Sequence, residues 1–276
     1  MSLPILVGVA LRDDDTAPVA LGRELAGFMA APLSLAHVPP GEPPSRIPVL
    51  AYDTDRRERA LARVQELADP IGAIAHVVTA SSPVAGLHEA AATLDAAVLV
   101  VGSSHRGALG RIMPGGVGER LLHEATCAVA LAPRGYEGAP IRSVGAAFDD
   151  TQEGRDALSA ATVMAALGEL PLAVFNAIEP REAAENAARE QRIRALLPDA
   201  MDAAVQVSAG DPVDVLERAS RTVDLLVCGS RGRGPLRTVA LGGVSGRLAH
   251  RAGCPLIVLP RTPSAIAAGG SGQLAG

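Results

Sequence analysis

The chain has 276 residues, enough for two domains of ordinary size, and its 48% hydrophobic and 20% charged residues exclude wholesale disorder. A net charge of −5 and only 2% aromatics exclude nucleic acid as the main partner, because phosphate neutralisation needs a basic footprint and single strands need stacking platforms. Cys127, Cys228 and Cys254 show no C-x-x-C spacing, which argues against a zinc site or a disulfide framework and reads as small core residues.

The first element is a buried strand at Ile5–Ala10. No charged leader precedes it and the apolar run is too short for a membrane span, so a cytoplasmic protein with no membrane partner is expected. A helix over Pro18–Ala31 and a strand at Leu33–Val38 follow, then a Pro-rich loop at Pro39–Pro48 and a charged amphipathic helix over Thr54–Asp69. The first half closes with a strand at Ile74–Val78, a helix over Val84–Leu94 and the strand Ala97–Val101. A glycine loop, a helix over Glu119–Ala125 and the strand Ala128–Ala132 complete it. The second half opens with a strand at Ser143–Phe148, a helix over Gln152–Leu167, a strand at Leu172–Ala177 and a helix over Arg181–Leu197. It then shows a strand at Ala203–Val207, a helix over Pro212–Ser220, a strand at Leu225–Cys228, a glycine loop, a helix over Gly246–Ala252 and a strand at Pro255–Leu259.

The two halves repeat one another. Ala97-Val98-Leu99-Val100-Val101-Gly102-Ser103 is echoed by Asp224-Leu225-Leu226-Val227-Cys228-Gly229-Ser230, at an offset of 127 residues. The same offset relates Gly115-Gly116-Val117-Gly118 to Gly242-Gly243-Val244-Ser245, and Cys127–Pro133 to Cys254–Pro260. Near-continuous apolar strands alternating with helices indicate an α/β fold: two tandem, doubly wound, parallel five-stranded sheets, each with its ligand crevice at the carboxyl ends of the strands. The expected domains are residues 1–133 and 141–260, joined by a Gly- and Pro-containing linker at 134–140. An uncharged Ala/Gly/Ser tail at 261–276 is expected to be disordered. The last strand of each half would form an exposed sheet edge, and the two edges are expected to pair within the chain; a homodimer of the whole chain is a further expectation.

The pattern with chemical content is Gly229-x2-Gly232-x9-Gly242, followed by Gly243-Val244-Ser245. Glycine at a strand end lets backbone approach a ligand, and amides at a helix start favour an anion. Ser245 would add a hydroxyl or cap the helix, and Arg231, Arg233 and Arg237 add positive charge. The alternative is that these glycines serve only tight turning and packing. The first copy, Gly102-x2-His105-x9-Gly115-Gly116, lacks the second glycine and the hydroxyl. No lysine-bearing phosphate loop, nucleophile elbow, protein-ligated metal site or other catalytic set is present. Asp13-Asp14-Asp15 and Asp149-Asp150 read as solvated loop charges.

The loop resembles the G-x2-G-x9-G-[Ser/Thr] signature of the universal stress protein family. Phe148-Asp149-Asp150-Thr151, Gly210-Asp211-Pro212 and Cys254-Pro255-Leu256-Ile257-Val258 fit it too. The resemblance covers both halves and implies a Rossmann-like, adenine nucleotide α-hydrolase-like sheet of strand order 3-2-1-4-5. It implies ATP or another adenine nucleotide, with magnesium admitted, bound chiefly by the second half. Asp149 would face the ribose or a metal, and Ala147 and Ala177 the base. Cys228, Gly229, Gly232, Gly242 and Gly243 would line the ribose and phosphates. Gly243 stands where the signature has Ser/Thr, so one hydroxyl is missing. Val38, Gly102, Gly115 and Gly116 are the weaker counterparts in the first half. The function so implied is that of a regulatory nucleotide-binding protein of the stress response, with at most slow ATP hydrolysis. A nucleotide-free interaction module and an enzyme on the same fold are the alternatives.

Overall fold

A computed structural model describes residues 4–12, 15–39, 50–103, 116–124, 126–199, 201–230 and 243–260. Among them the chain runs β1 (Ile5–Val9), α1 (Thr16–Met29), β2 (Leu33–His37), α2 (Leu50–Ala68), β3 (Ile74–Val77), α3 (Pro83–Thr93), β4 (Val98–Gly102), α4 (Gly116–Glu124) and β5 (Ala128–Ala132). The second half runs β6 (Val144–Phe148), α5 (Gln152–Leu167), β7 (Leu172–Ile178), α6 (Asn186–Arg194), β8 (Ala203–Ala209), α7 (Pro212–Ala219), β9 (Leu225–Gly229), α8 (Gly243–Leu248) and β10 (Leu256–Leu259).

The strand order is β3-β2-β1-β4-β5-β10-β9-β6-β7-β8, so each half carries the order 3-2-1-4-5. The sheets are not separate. β5 and β10 pair antiparallel, Val129 opposite Val258 and Ala130 opposite Ile257, and close both edges into one ten-stranded sheet. All other neighbouring strands are parallel. This is the intrachain pairing expected from two short apolar edge strands, because unpaired edge amides and carbonyls seek a partner.

Side chains alternate across each strand, and two cores result. Ile5, Val7, Val98 and Val100 pack with α1, α2, α5 and α6 on one face. Leu6, Leu99, Val129, Leu226 and Leu256 pack with α3, α4, α7 and α8 on the other. With so few aromatics, Val, Leu, Ile and Ala fill both layers. Helices α1 and α5 meet over the seam, where Phe28 lies against Gly168. Among the described residues no helix is long and apolar enough to cross a membrane.

Most elements fall within a residue or two of their expected bounds, and α5 coincides with its expected range. The stretch expected as one helix from Arg181 to Leu197 is instead a tight 3-10 segment at Pro180–Glu185 followed by α6. Arg189 reaches back across that junction to Glu182, at 3.0 Å, and holds the bend. The glycine-loop helix of the second half starts earlier than expected, at Gly243, and spans six residues.

Candidate functional site: a crevice at the strand ends of the second half

Strands β6, β7 and β9 end beside one another, and their carboxyl ends open onto a crevice of about 340 Å³. Ala147 and Asp149 border it from the end of β6, Ala177 and Ile178 from β7, and Cys228 and Gly229 from β9. Leu216 of α7 and Ser245, Arg247 and Leu248 of the last helical segment close the opposite wall. The volume lies in the range of small-ligand clefts, about 300–1,000 Å³. Six of the residues singled out from the sequence, Ala147, Asp149, Ala177, Cys228, Gly229 and Ser245, are thus brought together. Gly243 is not among the residues bordering the crevice. Gly232 and Gly242 lie outside the described residues, as does Gly115 of the first half.

The wall is kept open by small residues at defined approaches. A Cβ on Gly229 would stand 2.7 Å from the Glu153 carbonyl oxygen, and one on Gly154 would stand 2.7 Å from the Asp149 nitrogen, nearer still to the Asp149 oxygens. Both glycines therefore let the start of α5 seat against β9 and the β6 turn, which places Asp149 at the rim. Sequence reasoning missed Gly154. Its only signal was its place three residues after Thr151, whose hydroxyl accepts from the Gly154 amide at 3.1 Å and caps α5.

Asp149 is only partly committed to its own turn. Its Oδ1 accepts from the Thr151 amide at 3.3 Å and from the Thr151 hydroxyl. Asp150 points outward and pairs with Arg155 at 2.7 Å, half exposed. Ser245 is buried and donates to the Ser230 carbonyl at 2.7 Å. The Ser230 hydroxyl is itself buried with no hydrogen-bond partner. Burial pushes the Cys228 thiol up to about 12, so at neutral pH it is an uncharged, slightly polarisable wall rather than a nucleophile. At the mouth stand Glu179 and the Glu182–Arg189 pair. These were not anticipated, because their convergence depends on the 3-10 bend.

The corresponding place in the first half is built differently. Its β1 turn is occupied by the chain's own carboxylate: Asp15 Oδ1 accepts from the Ala10 amide at 2.8 Å and Oδ2 from the Arg12 amide at 2.9 Å. Asp15, expected to be a solvated loop charge, is only 7% exposed; two backbone donors replace its water. Val38, at the place of Ala177, is buried against α3, where a Cβ on Gly86 would meet both Val38 methyls at 2.7 Å. Leu87 leans on Gly8 in the same way. Gly102 packs beside Pro18, and Gly116 begins α4 in open space. The residue types differ at these equivalent positions of strand end and helix: Val38 and Gly86 in the first half, Ala177 and Val215 in the second.

One tie is common to both halves. His37 Nδ1 lies 2.8 Å from the Val9 carbonyl, and Asn176 Nδ2 donates to the Phe148 carbonyl at the same distance. Each closes the unpaired carbonyl at the end of the central strand. Among the described residues no group of three or more His, Cys, Asp and Glu is placed to hold a metal ion.

A universal stress protein of Mycolicibacterium smegmatis is 28% identical over 92% of this chain and 96% of its own length. A universal stress protein of Mycobacterium tuberculosis gives the same identity and the same shares. In structure, a universal stress protein of Archaeoglobus fulgidus superposes with a TM-score of 0.72 at 20% identity, covering 95% of this chain and 99% of that one. It shares the fold. The profile of the universal stress protein family matches residues 1–133 and again 142–260, and on that double match the chain belongs to the universal stress protein family.

Proposed function

We propose that the chain acts in the stress response as a regulatory binding protein that holds one adenine nucleotide, ATP foremost, in the crevice of its second half. The observation that carries this reading is the open crevice itself, bordered by the residues that the family resemblance assigns to base and ribose. The small side chains of Ala147 and Ala177 leave a flat apolar slot against Leu216, fit for a purine face. Asp149 retains acceptor capacity for ribose hydroxyls. Arg247, at the mouth, brings a guanidinium suited to phosphate oxygens; Arg231, Arg233 and Arg237 precede it in sequence. Helix α8, with six residues, is too short to contribute much dipole, so side-chain charge and loop amides would carry the phosphates. Magnesium would be held mainly by the phosphates, with Asp149 a carboxylate that borders the same crevice.

The first half is read as ligand-free, because Asp15 already satisfies the turn amides and Val38 takes up the slot. The domain division remains 1–133 and 141–260. Among the described residues the crevice holds no activated nucleophile, and hydrolysis is read as at most slow.

Equilibrium dialysis of the full chain against ATP, AMP and cyclic AMP tests the reading, together with mass spectrometry of whatever small molecule co-purifies. One nucleotide per chain is expected. Ala177→Leu, which adds a branched side chain inside the slot while leaving the Asp149 turn intact, should reduce affinity at least about tenfold, or about 1.4 kcal/mol. Unaltered binding by this folded variant would place the ligand elsewhere. Absence of any bound nucleotide would favour the interaction module.

A further inference from the structure

A second hollow of about 140 Å³ opens on the other face of the sheet, against α6. Its floor is Asn176, only 2% exposed. The Asn176 amide nitrogen donates to the Phe148 carbonyl at 2.8 Å, which fixes the orientation of the amide and leaves Oδ1 as the free end. That oxygen is buried with no hydrogen-bond partner, and so is the Nε of Arg189, whose terminal nitrogen is already engaged with Glu182 at 3.0 Å. An acceptor and a charged donor, both border residues of one cavity and both unmatched, are costly to leave so.

The charges around the hollow have a sign. Arg189 is offset by Glu182, and Asp150 by Arg155 at 2.7 Å. Arg192 borders the hollow and takes part in no ion pair among the described residues, which leaves one positive charge over. The remaining wall is apolar: Phe148, Ile193 and the half-exposed Leu196. A ligand that matches all of this is an anion, carries a hydrogen-bond donor, and has a little hydrocarbon. At under half the volume of the nucleotide crevice, the hollow is too small for a nucleoside.

We propose that this hollow is a binding site for a short-chain hydroxycarboxylate. Its hydroxyl donates to Asn176 Oδ1, its carboxylate accepts from Arg189 Nε and the Arg192 guanidinium, and its carbon chain lies on Ile193 and Leu196. The site is independent of the nucleotide reading, although Phe148 and Arg189 border both cavities.

The test is titration of the full chain with sodium lactate, sodium propionate and inorganic phosphate at matched ionic strength, by calorimetry and by ¹H–¹⁵N spectra that include the Asn176 side-chain amide. Lactate should saturate a single site and shift that amide signal. It should bind about tenfold more tightly than propionate, which lacks the donor. Arg192→Ala, at an exposed helix position, should weaken lactate about tenfold while leaving thermal stability unchanged. Equal affinity for lactate and propionate, tightest binding of phosphate, or indifference to Arg192→Ala would each overturn the proposal. Failure of all three anions to saturate would mean that the hollow holds water only.

Discussion

Replacing a glycine inside a helix by alanine ordinarily gains stability, by up to ~1 kcal/mol, yet Gly154 should behave in the opposite way. The added Cβ would collide with the backbone of Asp149, and backbone cannot step aside as a flexible side chain can. Gly154→Ala and Gly229→Ala are expected to lower stability by ~1–3 kcal/mol, whereas Gly243→Ala, with nothing within 4 Å, should be neutral or slightly stabilising. Urea midpoints of the three variants check this. The thiols give a second residue-scale expectation. Burial raises Cys127 from 9.0 to about 11 and Cys228 and Cys254 to about 12. Burial, with Glu24 and Asp224 nearby, raises Tyr136 from 10.0 to about 12. In each case the folded chain keeps a proton that the unfolded chain has released. These contributions are therefore whole below pH 9 and are lost as pH climbs from 9 toward 12. Urea midpoints should fall through that window, and Cys254→Ala should flatten the fall. A midpoint constant from pH 8 to 11 would show the thiols to be more accessible than their burial indicates.

Helix starts show which elements the sequence specifies by local chemistry. In Gly210-Asp211-Pro212, quoted from the sequence for the family resemblance, Asp211 caps α7: its Oδ1 accepts from the Val213 and Asp214 amides at 2.9 and 3.3 Å. Thr151 does the same for α5. Thr151→Ala should cost ~1 kcal/mol, read as a drop in urea midpoint without a change in slope; it should also loosen Asp149 and weaken any ligand at the crevice. The strand ends that form the crevice were nearly as legible, because apolar runs stop at Phe148, Ile178 and Cys228 where charge and glycine begin, one residue beyond the expected end at Ala177 in the case of β7. The parts that were not legible depend on distant partners. Nothing local marks Arg189 as the residue that straddles two cavities, since its placement follows from a 3-10 segment and a contact seven residues back. Asp15 sits in a run of three aspartates that reads as solvated, and only the turn around it shows that two amides claim it. The difference between Val38 and Gly86 in one half and Ala177 and Val215 in the other needs both strand and helix in view at once.

At the scale of the whole molecule, the antiparallel β5–β10 seam makes one sheet from two repeats, with α1 and α5 bridging it on one face. Each half alone would present its last strand as a bare apolar edge. The fragment 141–260 is therefore expected to self-associate through β10, whereas the full chain has that strand covered. Light scattering on both decides the matter, and a strictly monomeric fragment would show that the seam contributes little. The unequal filling of the two strand-end hollows also bears on dose response. On the proposed reading, one repeat is plugged by its own carboxylate and valine while its sibling stays vacant for a guest. Occupancy then rises along a simple hyperbola with a stoichiometry of one. The plugged repeat acts as a permanent mate for the sheet edge, holding the responsive one in register whatever the supply of ligand.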